Sequence, residues 1–206
     1  VSKNLKDLKI RYKDEKDPKN NHFKFLKQYL TLNYAEIFFA DKVILFEGET
    51  ESILLPAMLK KIDEETPSST ELPMLSQNIS LISSGAYSQI FDKFLEFVGI
   101  KTLIITDLDS GKENQIVDKN GHSRTVTVAH PVDGGTLTTN DALRHYYKTP
   151  LSKYSGGNQL DFFTNLSKEN KILRNNAGCW ESDPNGTLMI VFQTKEKDDY
   201  YPRSFE

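Results

Sequence analysis

Two short acidic stretches hold the residues of this chain best suited to chemistry. Glu47-Gly48-Glu49-Thr50-Glu51 places three carboxylates within five residues, and Asp107-Leu108-Asp109 places two more, with Ser110 next in line. Carboxylate oxygens are hard donors of the kind magnesium and manganese take as ligands. Crowded carboxylates repel one another, so such a group either raises its pKa values or recruits a cation, and a cation is the economical answer. Each stretch alone has an ordinary explanation. Acidic residues in a first helical turn complement the helix dipole, and an Asp-x-Asp after a strand is common loop decoration. Together they mean more, because of the elements that must carry them.

Those elements alternate. Phe23, Leu26, Leu30, Tyr34 and Ile37 recur at helical spacing and predict a helix over 23–39. Lys42 to Phe46 is a short apolar run suited to a buried parallel strand. Ile53, Leu54, Ala57, Met58 and Ile62 then describe an amphipathic helix, and the Pro/Ser/Thr-rich residues 66–76 a loop. Ile79 to Ile82 is a second strand with Ser83-Ser84-Gly85 as its exit turn. Ile90, Phe91, Phe94, Leu95 and Val98 form the stripe of a second helix stopped by Gly99. Residues 101–106 are a third strand. Strand–helix–strand–helix–strand predicts right-handed βαβ units and a parallel sheet, hence an α/β fold with a central, mostly parallel sheet flanked by helices. The acidic stretches then sit at the carboxyl ends of the first and third strands, where such sheets place their sites. If strand geometry persists, Asp107 and Asp109 point the same way, and Gly48 permits a tight turn.

After Gly111 the pattern weakens. Thr125 to Val128 reads as a strand, Ala142 to Tyr147 and Asn158 to Leu166 as short helices, and Gly186 to Thr194 as a strand. The polar stretches between them read as insertions around the core sheet. The division expected is a basic, helical lead-in over 1–40 and a catalytic domain over 41–206, with an insertion at about 111–185.

Composition narrows the setting. The 206 residues are 37% hydrophobic and 27% charged, as in a water-soluble globular protein, and no apolar run is long enough to span a bilayer. Val1-Ser2-Lys3-Asn4 has no signal-peptide core and no initiator Met, and the chain stops at Phe205-Glu206, so a fragment of a longer protein is expected. A single cysteine, Cys179, excludes an intrachain disulfide and a cysteine-based zinc site, and the expected location is cytoplasmic. The net charge of -3 is uneven: residues 1–28 hold nine Lys/Arg against four Asp/Glu, the remainder seventeen against twenty-five. A basic arm beside an acidic, metal-neutralised body suits a phosphate backbone. On its own the Lys-rich arm reads as a solvated face.

Three segments, VILFEGETE, ISLISSGAYSQIFDKFLEFVGI and KTLIITDLDS, resemble the Toprim domain shared by topoisomerases, bacterial primases and certain nucleases. Ala35 to Asp41 leading into the first of them, and Tyr201 to Glu206 at the end, resemble the C-terminal region of OLD-family (overcoming lysogenization defect) nucleases, a family that includes the large subunit of the Gabija anti-phage system. The resemblance implies a two-metal, Mg2+- or Mn2+-dependent DNA endonuclease. It assigns Glu47 and Glu51 to the glutamate motif and Asp107 and Asp109 to the Asp-x-Asp motif as metal ligands, with Glu47, Asp107 and Asp109 also catalytic. Glu206 completes the set, Ser110 is a further metal or phosphate contact, and Glu49 stands at the variable place of the motif. The family also implies DNA as partner, an ABC-type ATPase domain N-terminal to this region, homo-oligomers, and a lysine near the C-terminal end. This chain has no Walker A pattern, so ATP enters only through that further domain. The lysine is expected beyond Glu206, Lys195 and Lys197 being solvated.

Two other functions compete. One is a non-catalytic platform for nucleic acid or a subunit. The other is a haloacid-dehalogenase-like phosphatase with Asp107 as nucleophile, which leaves the EGETE stretch unexplained. Among other polar residues, His130 reads as structural, Trp180 as core, Tyr200, Tyr201 and Arg203 as strand or DNA contacts, and Thr138-Thr139-Asn140 as a loop approaching the site.

Overall fold

The computed structural model describes residues 4–12, 21–33, 35–66, 72–119, 121–195 and 201. The chain forms two compact units, Val1–Ile105 with Thr187–Met189, and Thr106–Gly186 with Ile190–Glu206. The fold is mixed α/β, with a mostly parallel sheet and flanking helices, as expected.

In the first unit, α1 (Leu5–Arg11) and α2 (Asn21–Asn33) precede β1 (Lys42–Phe46), α3 (Glu49–Glu65), β2 (Ile79–Ser83), α4 (Asp92–Val98) and β3 (Lys101–Ile105). The helix expected over 23–39 is α2 followed by a separate 3-10 turn, Ala35–Phe38. The strands run in the order β2-β1-β3, all parallel. Phe46 stands opposite Ser83 on one side and Ile105 on the other, so the three carboxyl ends are level. Both faces of β1 are covered, which explains its unbroken apolar run. Ile44 and Phe46 pack with Leu55 and Leu59 of α3, joined by Met74, Ile79, Leu81, Leu103 and Ile105. Val43 and Leu45 alternate to the opposite face and are fully buried, as are Ile82 and Ile104. The buried stripe of α3 is therefore Leu55 and Leu59, one turn apart. Ile53, Met58 and Ile62, expected inside, are exposed (75%, 48% and 48%). The helix is rotated because the two leucines are the residues that meet Ile44 and Phe46.

The lead-in is part of this unit. Tyr12 is buried, its hydroxyl donating to the Ile90 carbonyl (2.6 Å) and accepting from the Phe94 N–H (3.2 Å). Burial, reinforced by the charge of Asp92, pushes its phenol well above the ordinary range. A 3-10 segment, Gly85–Phe91, leads into α4, and Gly99 caps that helix in the left-handed region (φ 74°), as its position predicts. Thr102 donates to the Thr187 carbonyl (2.8 Å).

In the second unit, β4 (Ser110–Val117) and β5 (Ser123–Ala129) form an antiparallel hairpin, and β6 (Leu137–Thr138) pairs with β4 on its other side. Three short helices follow, α5 (Asp141–Tyr146), α6 (Lys148–Lys153) and α7 (Gln159–Thr164), then the antiparallel hairpin β7 (Ile172–Asn176) and β8 (Cys179–Ser182). β9 spans Leu188–Val191, and its last two residues belong to this unit. Here the Thr106 N–H donates to the Val191 carbonyl (3.0 Å). An aromatic core holds these short pieces: Phe163 meets Tyr147 and Phe192 edge-on, and Tyr146 meets Trp180 likewise (ring centroids 5.5, 5.8 and 5.3 Å). Trp180 is core, as read. Lys171 lies over the Phe192 ring (4.1 Å), and desolvation lowers its pKa. No helix among the described residues is long and apolar enough to cross a membrane.

The Tyr12 contacts yield a stability test. Tyr12→Phe leaves the Ile90 carbonyl and Phe94 N–H without their hydroxyl partner and is expected to cost about 1–3 kcal/mol in urea unfolding. Because the folded phenol titrates above its ordinary 10.0, its contribution is full below pH 10 and is lost as pH rises past it. The wild type's advantage over Tyr12→Phe should therefore shrink above pH 10.

Candidate functional site

The glutamate stretch starts where β1 ends. Phe46 closes the strand and its carbonyl accepts from the Ser84 N–H (2.8 Å) and Ser84 Oγ (3.2 Å), so the exit of β1 is pinned to the exit of β2. Gly48 is the N-cap of α3 and has no side chain with which to cap it. Its φ of -115° is ordinary extended backbone, so the turn itself does not require glycine. What glycine leaves here is room: a Cβ at position 48 would lie 2.6 Å from Glu51 Oε2, the far end of a flexible side chain that would have to swing away. Glu51, three residues into the cap, folds its carboxylate back over Gly48 toward the strand exit. Glu47 and Glu51 are half-buried and Glu49 is exposed.

The aspartate stretch belongs to the second unit, and strand geometry does not persist through it. β3 ends at Ile105, and Asp109 has φ 44°, in the left-handed region. Asp and Asn enter that region more readily than other residues with a side chain, at some cost. The two carboxylates are therefore aimed by hydrogen bonds rather than by the alternation of a strand. Asp107 Oδ1 accepts from Gln193 Nε2, and Gln193 Oε1 accepts the Leu108 N–H (2.7 Å). Asp109 Oδ2 accepts from Asn140 Nδ2 (3.1 Å), which also donates to Thr106 Oγ1 (2.8 Å). The main chain is held as firmly. Thr139 donates its N–H (2.9 Å) and hydroxyl (3.1 Å) to the Asp109 carbonyl, and the buried Thr138 hydroxyl donates to the Leu108 carbonyl. Thr138 Oγ1 in turn accepts the Asn140 N–H (3.0 Å).

Ser110 opens β4, with its Oγ close against Gly135, where a Cβ would stand only 1.9 Å away. The His130 N–H donates to the Ser110 carbonyl (2.9 Å) while its ring packs on Gly134. These contacts agree with a structural His130. Glu206, Lys197, Tyr200 and Arg203 lie outside the described residues. Lys195 is exposed, as expected.

The structure thus places Glu47 with Glu51 on one unit and Asp107 with Asp109 on the other. Within neither unit do three His, Cys, Asp or Glu side chains among the described residues gather as a metal cage. The donors themselves fit a hard cation, since each is a carboxylate at a strand exit and the lone cysteine, Cys179, stands exposed on β8. Sequence reasoning reached the Thr138-Thr139-Asn140 loop by its polarity but not its roles, and it missed Gln193. An N-cap signal for Asn140 was legible, because it directly precedes a helical pattern.

Residues 38–109 match the family described as overcoming lysogenization defect protein-like, TOPRIM domain, so both acidic stretches fall inside one Toprim segment. Over 146 residues the chain is 29% identical to endonuclease GajA of Bacillus cereus (strain HuB5-5), a match that covers 69% of this chain and 19% of that relative. No solved structure gives a significant match.

Thr138→Val tests the clamp on the aspartate stretch. It removes a buried hydroxyl that serves two backbone groups at once, and is expected to lower unfolding free energy by roughly 1–3 kcal/mol in denaturant titration.

Proposed function

We propose that this chain is the Toprim nuclease module of an OLD-like protein and hydrolyses phosphodiester bonds in DNA with bound Mg2+ or Mn2+. The observation that carries this reading is the placement of both acidic motifs at the exits of β1 and β3, strands whose last residues, Phe46 and Ile105, are paired in register. The relative named as an endonuclease supports the same class of activity. By the family pattern Glu47, Glu51, Asp107, Asp109 and Glu206 are the ligands of two ions. Held there, a divalent ion would supply Lewis acidity toward the phosphodiester and toward water. The chain's own residues supply the rest. Glu51, folded over Gly48, and the amide-held pair Asp107 and Asp109 are preset, so little side-chain freedom remains to be lost on binding. Ser110 stands one residue beyond Asp109 as a phosphate contact. No residue needs to form a covalent intermediate. DNA as partner, an ATPase domain supplied by a longer chain, oligomers, a cytoplasmic location and a role in anti-phage defence belong to this proposal. The phosphatase alternative would leave Glu47 and Glu51 without a role.

Plasmid cleavage tests it, with magnesium, manganese or EDTA, beside Asp107→Ala and Glu47→Ala. Cutting is expected to require the metal and to vanish in both variants. Intact DNA with either metal, from the longer protein as well as this chain, together with no calorimetric Mn2+ binding, would turn the reading to the non-catalytic platform. Gly48→Ala is a finer probe. The clash it creates is with the far end of a flexible carboxylate, so the melting temperature should hold. Displacing Glu51 should weaken Mn2+ binding by about tenfold.

A further inference from the structure

Gln193 and Asn140 lie 53 positions apart in the chain, on a loop after β9 and at the start of α5, yet they make the same kind of contact. Each carries a side-chain amide whose two ends are fixed by different partners. In Gln193 the oxygen accepts the Leu108 N–H (2.7 Å), and the nitrogen donates to Asp107 Oδ1. In Asn140 the oxygen accepts the Leu143 N–H (3.0 Å) as the N-cap of α5, and the nitrogen donates to Asp109 Oδ2 (3.1 Å) and Thr106 Oγ1 (2.8 Å). A backbone N–H can only donate, so each amide must turn its oxygen toward it. Neither amide can flip without losing that bond and setting its oxygen against a carboxylate. Both aspartates therefore face an NH2 group, and neither meets an acceptor from its clamp. Asn140 is buried and Gln193 and Asp107 are half-buried, while Asp109 is exposed, so the clamping amides are sheltered and the Asp109 residue still reaches solvent.

We infer that Asn140 and Gln193 are positioning residues whose side-chain amides hold Asp109 and Asp107 in the orientation from which those carboxylates take up a divalent cation. The inference rests on the metal-dependent reading above and adds two residues to it. It also explains why Asp109 tolerates a left-handed backbone: Thr139 holds its carbonyl and Asn140 its side chain, from one turn of chain. Groups that orient metal ligands this way change metal affinity by about 10–100-fold when removed.

The test is calorimetric titration of Mn2+ alone into the protein, its Asp109→Asn variant, Asn140→Ser and Gln193→Met, each checked by circular dichroism and melting temperature. Serine keeps an N-cap acceptor for α5 but is too short to offer Asp109 the amide donor. Methionine keeps the length of Gln193 without its polar ends. The expected result is binding by wild type, loss in Asp109→Asn, and a roughly tenfold or greater weakening in both clamp variants, with circular dichroism showing both still folded at the titration temperature. A purely structural role would move the melting temperature and leave the affinity alone. If both clamp variants bind Mn2+ as tightly as wild type while Asp109→Asn does not, the positioning role is overturned and the metal site stands. If wild type itself binds no Mn2+, the metal reading fails and takes this inference with it.

Discussion

The parallel pairing of β1 with β2 and β3 is the constraint on which the rest of the first unit depends. Evenly spaced hydrogen bonds along both edges of β1 align three strand exits, Phe46 with Ser83 and Phe46 with Ile105. A chain leaving a level edge must turn at once into a helix or a loop, so the polar residues of those turns appear at one end of the sheet. The price of this arrangement is that β1 must be apolar on both sides. Its four consecutive buried residues, Val43 to Phe46, meet that demand.

That same demand made the first unit readable. Buried parallel strands announce themselves as unbroken runs of branched and aromatic residues, and the helices between them as stripes, the second of them closed by Gly99. The register of a stripe is harder to read, because a helix with apolar residues on several faces does not declare which face turns inward. In α3 the choice fell to Leu55 and Leu59, the side chains that meet Ile44 and Phe46. The second unit was less legible. β4 and β5 are exposed along nearly their whole length, so neither face selects apolar residues and no alternation marks β4 as a strand. The pieces α6, β7 and β8 are short, and β8 is held by aromatic packing between distant residues, Tyr146 and Trp180, which leaves no periodic trace.

Candidate ligands were legible for a different reason than the residues that aim them. Carboxylates in a tight cluster are conspicuous, since an unpaired group of them is unfavourable unless something positive is brought in. Asn140 and Gln193 are single amides in polar surroundings, and their meaning is purely geometric: one end meets a backbone N–H and the other a carboxylate. The expectation that Asp107 and Asp109 share a direction as alternate strand residues failed because the strand stops at Ile105, and a network of threonines and amides takes over.

The left-handed backbone at Asp109 has a consequence for how such a protein changes over time. Most residues with a β-carbon resist φ 44°, and a β-branched side chain there would strain the turn. Asparagine fits it as well as aspartate does, keeps the side-chain oxygen that meets Asn140, and is one base change away in the genetic code. A lineage can therefore discard the negative charge at this position in one step while keeping the turn, the clamp and the fold. On the proposed metal-dependent reading, descendants that keep the whole architecture without the ion are the expected product of such drift, and position 109 is where they would be told apart from relatives that still hold it.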